Sequence, residues 1–264
     1  MLAKLSFKLF LVVPHKKILN IKPKEILLPG GSSCVVLIHG LTKTAKEVEL
    51  LAKILNENGY TVYCPLLPGH GICPLGYETC VVELAKISAG EIEEYIYSAV
   101  EKVSKIYKEV YIGGVSIGAN LALLASTQIE VSGVISMGAV IFTRGVLPIG
   151  NFAASLIEKI LLYREGTGIY HGVSVSNILS IKRLIQDTKK RLTKITAPIL
   201  IIQSFYDDII HPISAKYIYK KVNSKRKYIK WLKTKTHGLN CDNSKIIGKY
   251  ILDFLRIKNV EDDE

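Results

Sequence analysis

Short apolar runs alternate with longer amphipathic segments along most of this chain. Cys34–His39 (CVVLIH) is a continuous apolar run, which is typical of a strand buried on both faces of a parallel sheet. The following segment, 45–58, has apolar residues at helical spacing, and Gly59 after it is a favoured residue at a helix C-terminus. Strand–helix alternation predicts a mainly parallel, doubly wound sheet with helices on both faces.

The same alternation of patterns predicts the other strands and helices. We predict strands at 34–39, 61–63, 109–112, 131–139, 198–203 and 228–232, and helices at 45–58, 91–106, 117–127, 212–222 and 244–255. Gly113 and Gly114 are predicted to break the strand that begins at residue 109, because glycine weakens strand interiors.

One stretch, 142–194, interrupts the alternation. It contains helical patterns at 152–162 and 177–192 and no strand pattern. We expect it to be a helical cap inserted over the carboxyl edge of the sheet, where ligands bind in open α/β sheets. The core then consists of residues 1–141 and 195–264.

Composition excludes several classes of function. The net charge of +12, from 35 Lys and Arg against 23 Asp and Glu, could attract nucleic acid or an anionic surface. The excess is spread along the chain and is not interleaved with aromatic residues, so we expect a solvated surface and no nucleic-acid partner. The five cysteines show no CxxC pair, which argues against zinc, although Cys73 and Cys80 share one irregular segment and could form a bridge.

The N-terminal segment 1–13 is mostly apolar, with two lysines. It is shorter than the roughly 20 apolar residues that span a bilayer, and no signal-peptide cleavage site follows it. We expect an arm packed on the domain of a cytoplasmic protein; the alternative is weak contact with a membrane surface through this segment. Oligomeric state is left open.

A G-x-S-x-G pentapeptide lies at 114–118, between a strand pattern and a helix pattern. This junction is what a nucleophile elbow requires, since a sharp turn projects the serine hydroxyl from the sheet edge and the glycines let neighbouring backbone pass. Ser116 is therefore the predicted nucleophile.

An earlier buried strand ends in His39-Gly40-Leu41. The loop after such a strand supplies the second backbone N–H of an oxyanion hole. We predict the N–H groups of Leu41 and Ile117 as the two donors and Gly40 as a substrate-contacting residue. His39 is expected to fix this loop and not to carry a proton.

An acid and a base follow in chain order. Asp207 and Asp208 come after the strand at 198–203, and either could orient a histidine, although Asp208 fits a helix N-cap or turn better. His237 follows the strand at 228–232. The order Ser, Asp, His is that of the α/β-hydrolase triad.

Four segments resemble the small microbial carboxylesterases and monoacylglycerol lipases of the α/β-hydrolase superfamily. They are LIHGLTKTAKEVELLAKILNENGYTVYCPLLPGHG, YIGGVSIGANLALL, ITAPILIIQSFYDDIIHP and IKWLKTKTHGLNCD. The resemblance implies an α/β-hydrolase fold and a triad of Ser116, Asp207 and His237, in which the family pattern D-x-x-(V/I)-x-P selects Asp207. It also implies that no metal or cofactor takes part.

The substrate expected from these residues is a short- to medium-chain carboxylic monoester or a monoacylglycerol. Apolar residues of the predicted cap, among them Leu147 and Phe152, could line an acyl slot or simply pack on the core. Other chemistry on the same triad (acyl transfer, peptide cleavage or C–C bond hydrolysis) and a lipid-surface binding protein stay open as alternatives.

Overall fold

A computed structural model describes residues 24–41, 43–71, 87–144, 175–235, 237–239 and 241–261. Several sequence predictions fall outside these residues. They concern the N-terminal segment 1–13, the Cys73–Cys80 bridge, the helix at 152–162, and the acyl-slot residues Leu147 and Phe152. None of the described helices combines the length and apolar character needed to cross a bilayer.

The described strands form one sheet. They are β1 (Ile26–Leu28), β2 (Ser33–Ile38), β3 (Thr61–Cys64), β4 (Glu109–Val115), β5 (Gly133–Met137), β6 (Ile199–Ser204) and β7 (Lys227–Leu232). Their order is β1-β3-β2-β4-β5-β6-β7, with β1 antiparallel to β3 and the other pairs parallel. The mainly parallel sheet predicted from the sequence is confirmed. The strand order reverses beside β2, which creates a crevice outside the carboxyl ends of β2 and β4, the usual ligand site in such sheets.

Helices cover both faces of this sheet. They are α1 (Glu49–Glu57), α2 (Ala89–Ser104), α3 (Ile117–Ala125), α4 (Val175–Arg191), α5 (Ile213–Lys221) and α6 (Cys241–Glu261). Side chains alternate along β2, so that Val36 and Ile38 pack in one core layer with α2, α3 and α4. Val35 and Leu37 pack in the other layer, with α1 and α6. Cys34 and Cys64 are buried free thiols, as expected for small core residues.

The glycines of β4 do not break the strand, and that prediction was wrong. Gly113 and Gly114 pair in register with β2 and β5 and continue the strand to Val115. A methyl group added at Gly113 would lie 3.0 Å from the Ile135 Cβ atom and 3.3 Å from the Leu37 Cδ2 atom. Gly113 therefore permits close packing between neighbouring strands, and neither glycine interrupts pairing.

Several details of the elements differ from prediction. The edge strand β1 was not predicted, because its three residues are too few for a clear pattern. The segment before α1 begins with a 3₁₀ turn at Ala45–Glu47. Helix α2 starts two residues earlier than expected, after a capping box in which Ser88 and Glu91 each bond the other's backbone N–H.

Part of the predicted cap segment 142–194 is described. Thr143 forms an isolated antiparallel bridge with Ile210. In α4, Ile181 and Leu184 are buried in the core, and the Thr188 hydroxyl accepts a hydrogen bond from Asn120 Nδ2 at 3.1 Å. The C-terminal part of this segment thus packs on α3. The assignment of the whole segment as a cap stays a prediction.

Candidate active site

The turn between β4 and α3 holds Ser116 in an unusual backbone conformation. Its φ of 56° is the only positive value for a non-glycine residue among the described residues. Its neighbours leave no room for side chains: a methyl group at Gly114 would lie 2.2 Å from the Gly118 carbonyl oxygen, and one at Gly118 would lie 2.4 Å from the Ile38 carbonyl oxygen. This is the strained turn that the pentapeptide predicted.

His237 lies between Ser116 and Asp207. Its Nε2 atom is 2.9 Å from the Ser116 hydroxyl oxygen, and its Nδ1 atom is 2.8 Å from Asp207 Oδ2. A carboxylate can only accept, so Nδ1 carries the proton and Nε2 is left to accept from the hydroxyl. The three side chains predicted to act together form one continuous hydrogen-bond chain.

Asp207 is held as an anion. Its side chain is 2% exposed; Oδ1 accepts from the N–H groups of Ile209 and Ile210 at 2.9 Å and 2.7 Å, and Oδ2 also accepts from Gln203 Nε2 at 3.3 Å. Burial raises the pKa of this carboxyl, but the bonds from His237 and the two backbone N–H groups outweigh burial, so the pKa lies below its usual value.

Asp208 does not contribute to this arrangement. It is exposed on the turn. The N-cap of α5 is Pro212, which has no capping side-chain bond, so the helix-cap role considered for Asp208 was wrong. Asp207 Oδ1 accepts two backbone N–H bonds within this turn.

Gly138 lies against the imidazole of His237. It has a φ of +61°, and a methyl group there would lie 3.5 Å from His237 Cε1. On the loop that carries the imidazole, Asn243 Nδ2 donates to the Gly238 carbonyl at 3.0 Å. The histidine is therefore backed by bare backbone on one side, and its loop is tied to α6.

The loop after β2 is held by a neutral histidine. His39 is fully buried; its Nε2 accepts from the Leu67 N–H at 3.1 Å, so its Nδ1 donates to the Gly40 carbonyl at 2.8 Å. Burial, reinforced by the neighbouring His70, lowers the pKa of His39 to about 3. Because the C=O and N–H of a trans peptide point in opposite directions, fixing the Gly40 carbonyl aims the Leu41 N–H to the other side.

His70 supports the same loop from the far side. Its Nε2 contacts the Leu41 carbonyl, and its Nδ1 is 2.9 Å from the Pro68 carbonyl. Burial lowers its pKa, despite these bonds. Both histidines thus act on the loop backbone, as expected for His39 from the sequence.

Gly40 and Ile117 lie beside Ser116. A methyl group at Gly40 would be 3.7 Å from Ser116 Cβ, which places this glycine at the edge of the site. Ile117 is the first residue of α3, and the first N–H groups of a helix have no acceptor within it. This position suits the donor role predicted for Ile117.

Sequence reasoning missed two polar residues of the site. Glu47 Oε2 accepts from the Gly40 N–H at 2.7 Å. A carboxylate at a helix start is too common to draw attention. Gln203, which bonds Asp207, left a clearer signal: it is a polar residue at the end of an apolar strand run.

A family model described as "Serine aminopeptidase, S33" matches residues 32–163 and 150–244 of this chain. The chain is 25% identical to a carboxylesterase of Bacillus subtilis (strain 168) over 248 residues, which cover 89% of this chain and 97% of that protein. It is 24% identical to a thermostable monoacylglycerol lipase of Bacillus sp. (strain H-257) over 221 residues, which cover 81% of this chain and 86% of that protein.

The fold is shared with solved structures. A metagenome-derived lipolytic enzyme, from work on LipS and LipT, superposes with a TM-score of 0.74 at 21% identity, covering 89% of this chain and 98% of that one. The α/β-hydrolase fold predicted from the sequence is confirmed. The chain belongs to the α/β-hydrolase family described as serine aminopeptidase S33, and it is a hydrolase of the esterase and lipase type.

Proposed function

We propose that this protein is a serine carboxylesterase that hydrolyses short- to medium-chain carboxylic monoesters or monoacylglycerols. The observation that carries the proposal is the hydrogen-bond chain from Ser116 through His237 to Asp207. The names of the two bacillar relatives, a carboxylesterase and a monoacylglycerol lipase, support the same class of substrate.

In the acylation step, the Ser116 hydroxyl oxygen attacks the ester carbonyl carbon while His237 Nε2 takes the hydroxyl proton. The carbonyl oxygen becomes an oxyanion, which the N–H groups of Leu41 and Ile117 stabilise. Each such donor contributes about 3–4 kcal/mol to lowering the barrier. When the tetrahedral intermediate collapses, the C–O bond breaks and His237 gives its proton to the leaving alcohol.

Deacylation repeats these steps with water. His237 takes a proton from water, whose oxygen attacks the acyl carbon, and returns that proton to Ser116 as the ester bond to the enzyme breaks. Asp207 keeps the imidazole in the tautomer that presents a bare Nε2 and stabilises the imidazolium that forms twice per turnover. The products are a carboxylic acid and an alcohol.

The test of the nucleophile is Ser116→Ala, measured as kcat on p-nitrophenyl butyrate. We expect turnover to fall by at least about 10³-fold, because the variant lacks the hydroxyl that is hydrogen-bonded to the imidazole. Ser126→Ala is the matched control: this serine lies just beyond the same helix, and its hydroxyl bonds the Leu123 carbonyl. Equal activity of Ser116→Ala and Ser126→Ala would falsify the proposed site.

The substrate class is tested with p-nitrophenyl esters from acetate to octanoate, with monoacylglycerols, and with aminoacyl p-nitroanilides. We expect kcat/KM to peak within the ester series and monoacylglycerols to be hydrolysed. The family description names an aminopeptidase, so faster cleavage of the anilides would replace the esterase assignment with a peptidase one. A steady decline from acetyl to octanoyl would contradict the medium-chain preference.

A further inference from the structure

Glu47 lies between the loop after β2 and the loop that carries His237. Its Oε2 atom accepts from the Gly40 N–H at 2.7 Å. Its Oε1 atom lies 3.3 Å from the position that a methyl group on Gly238 would occupy. Gly40 precedes the proposed oxyanion donor Leu41, and Gly238 follows the proposed base, so one carboxylate borders both halves of the site.

The protonation of Glu47 depends on several neighbouring groups, one of which is His237. Burial raises the pKa of this carboxyl. Three groups oppose that effect: the Gly40 N–H, Lys43 on the same loop, and His237 across from it. Partial burial of the Glu47 carboxylate costs free energy. We therefore expect its charge to have a function, because an apolar side chain could fill the same space without that cost.

We propose that Glu47 is a positioning residue for ester hydrolysis: its carboxylate fixes the Gly40–Leu41 backbone that presents the oxyanion donor, and it supplies a second negative charge near the imidazolium. This inference rests on the proposed function, since both effects presuppose chemistry at Ser116 and His237.

The first effect is geometric. His39 holds the Gly40 carbonyl, and Glu47 holds the N–H of the same residue, so both backbone polar groups of Gly40 are fixed by side chains. Loss of one of these two hydrogen bonds would let the Leu41 N–H move away from the oxyanion. A misplacement of about 1 Å can cost on the order of 10²-fold in rate.

The second effect is electrostatic. A negative charge near the imidazole stabilises its protonated form. Within the part of the chain that the structure describes, the interacting charged and titratable groups here are Asp207 from the loop after β6, Glu47 from the 3₁₀ turn, Lys43 from the loop after β2, and His237 itself. Removing the charge of Glu47 should therefore move the acid limb of the pH–rate profile to lower pH.

The experiment compares Glu47→Gln and Glu47→Ala with wild type and with Glu49→Gln. Glu49 is a matched control, because it is a nearby carboxylate that pairs with Lys53 on the outside of α1. Each variant is titrated with a fluorophosphonate to count intact sites, and kcat and KM for p-nitrophenyl butyrate are then measured from pH 4 to pH 9.

Glu47→Gln keeps an oxygen that can accept from Gly40. We expect its plateau kcat to stay within about threefold of wild type, and the acid limb of its pH profile to move to lower pH. Glu47→Ala also loses the bond to Gly40, so its plateau kcat should fall by about 10- to 100-fold with little change in KM. Glu49→Gln should match wild type in both respects.

An unmoved acid limb in Glu47→Gln, or a plateau kcat in Glu47→Ala equal to that of wild type, overturns this inference. If Glu47→Ala does not fold, the pH profile of Glu47→Gln decides alone. The proposed function fails separately, and only if the wild-type enzyme itself neither hydrolyses the ester nor takes up the fluorophosphonate at Ser116.

Discussion

Two carboxylates interact with His237, Asp207 through a hydrogen bond and Glu47 through its charge, and their surroundings differ. Asp207 accepts two backbone N–H groups, an amide and the imidazole, and its pKa lies below the usual range although it is almost fully buried. Glu47 is bonded to one backbone N–H, and burial raises its pKa. Burial therefore does not decide the proton affinity of a carboxyl by itself; the number of donors aimed at it does.

This difference suggests a division of labour around one histidine. The loop after β6 provides a permanent anion that fixes the ring, and the loop after β2 provides an adjustable charge together with the backbone for the oxyanion. Substitutions at Asp207, at His70 beside the loop after β2 and at Glu47 test this difference.

The largest effect is expected for Asp207→Asn. An asparagine can donate to Nδ1 and so favours the wrong tautomer, which should lower kcat on p-nitrophenyl butyrate by about 10³- to 10⁴-fold. Asp208→Asn is the control and should stay within about twofold, because Asp208 is exposed on the neighbouring turn. Equal losses of kcat in the two variants would contradict the proposal that Asp207, and not Asp208, orients His237.

An intermediate effect is expected for His70→Phe. This change removes the contact with the Leu41 carbonyl while filling most of the same space. We expect kcat to fall about tenfold with KM nearly unchanged, because the oxyanion donor loses one support. His211→Phe is a control in the loop that follows Asp207. The His211 Nδ1 atom accepts from the Ile213 N–H in an exposed position, so this change should leave kcat within about twofold of wild type.

The smallest effect is a pair of melting-temperature shifts of opposite sign. A carboxyl whose pKa is lowered by folding stabilises the protein above its unfolded pKa and stops doing so as pH falls through its folded pKa. A carboxyl whose pKa is raised stabilises the protein only at low pH, and that contribution is lost as pH rises through its folded pKa.

At pH 7, Asp207→Asn should therefore melt a few degrees below wild type, and Glu47→Gln should melt at or slightly above it. Near pH 3 both differences should shrink. Calorimetry at the two pH values measures them, and a Glu47→Gln variant that loses stability at pH 7 would contradict the contrast between the two carboxylates.

The sequence could predict the convergence of the site because parallel strands end at one edge. Ser116, Asp207 and His237 follow three strands that run parallel in the sheet, β4, β6 and β7, so the sheet brings them to the same edge whatever the details of the loops. The spatial closeness was therefore within reach of pattern reasoning, although the catalytic roles of these residues stay predictions.

Other features depend on three-dimensional neighbours that a linear pattern does not reveal. Gly113 looked like a strand break, but it is a packing position against Ile135. Asp208 looked like a helix cap, yet the turn is fixed by Asp207. Glu47 belongs to the site because a 3₁₀ turn carries it toward Gly40, and nothing in its local sequence distinguishes it from a surface glutamate.

The left-handed backbone at residue 116 also bears on how such a protein can change over time. A glycine would adopt that conformation more comfortably than the serine it holds now, so relaxing this turn and keeping the hydroxyl are competing demands. Selection for thermal stability alone would favour glycine at position 116. Selection for catalytic turnover would retain the serine. Under the proposed function, this strained turn exchanges some stability for reactivity.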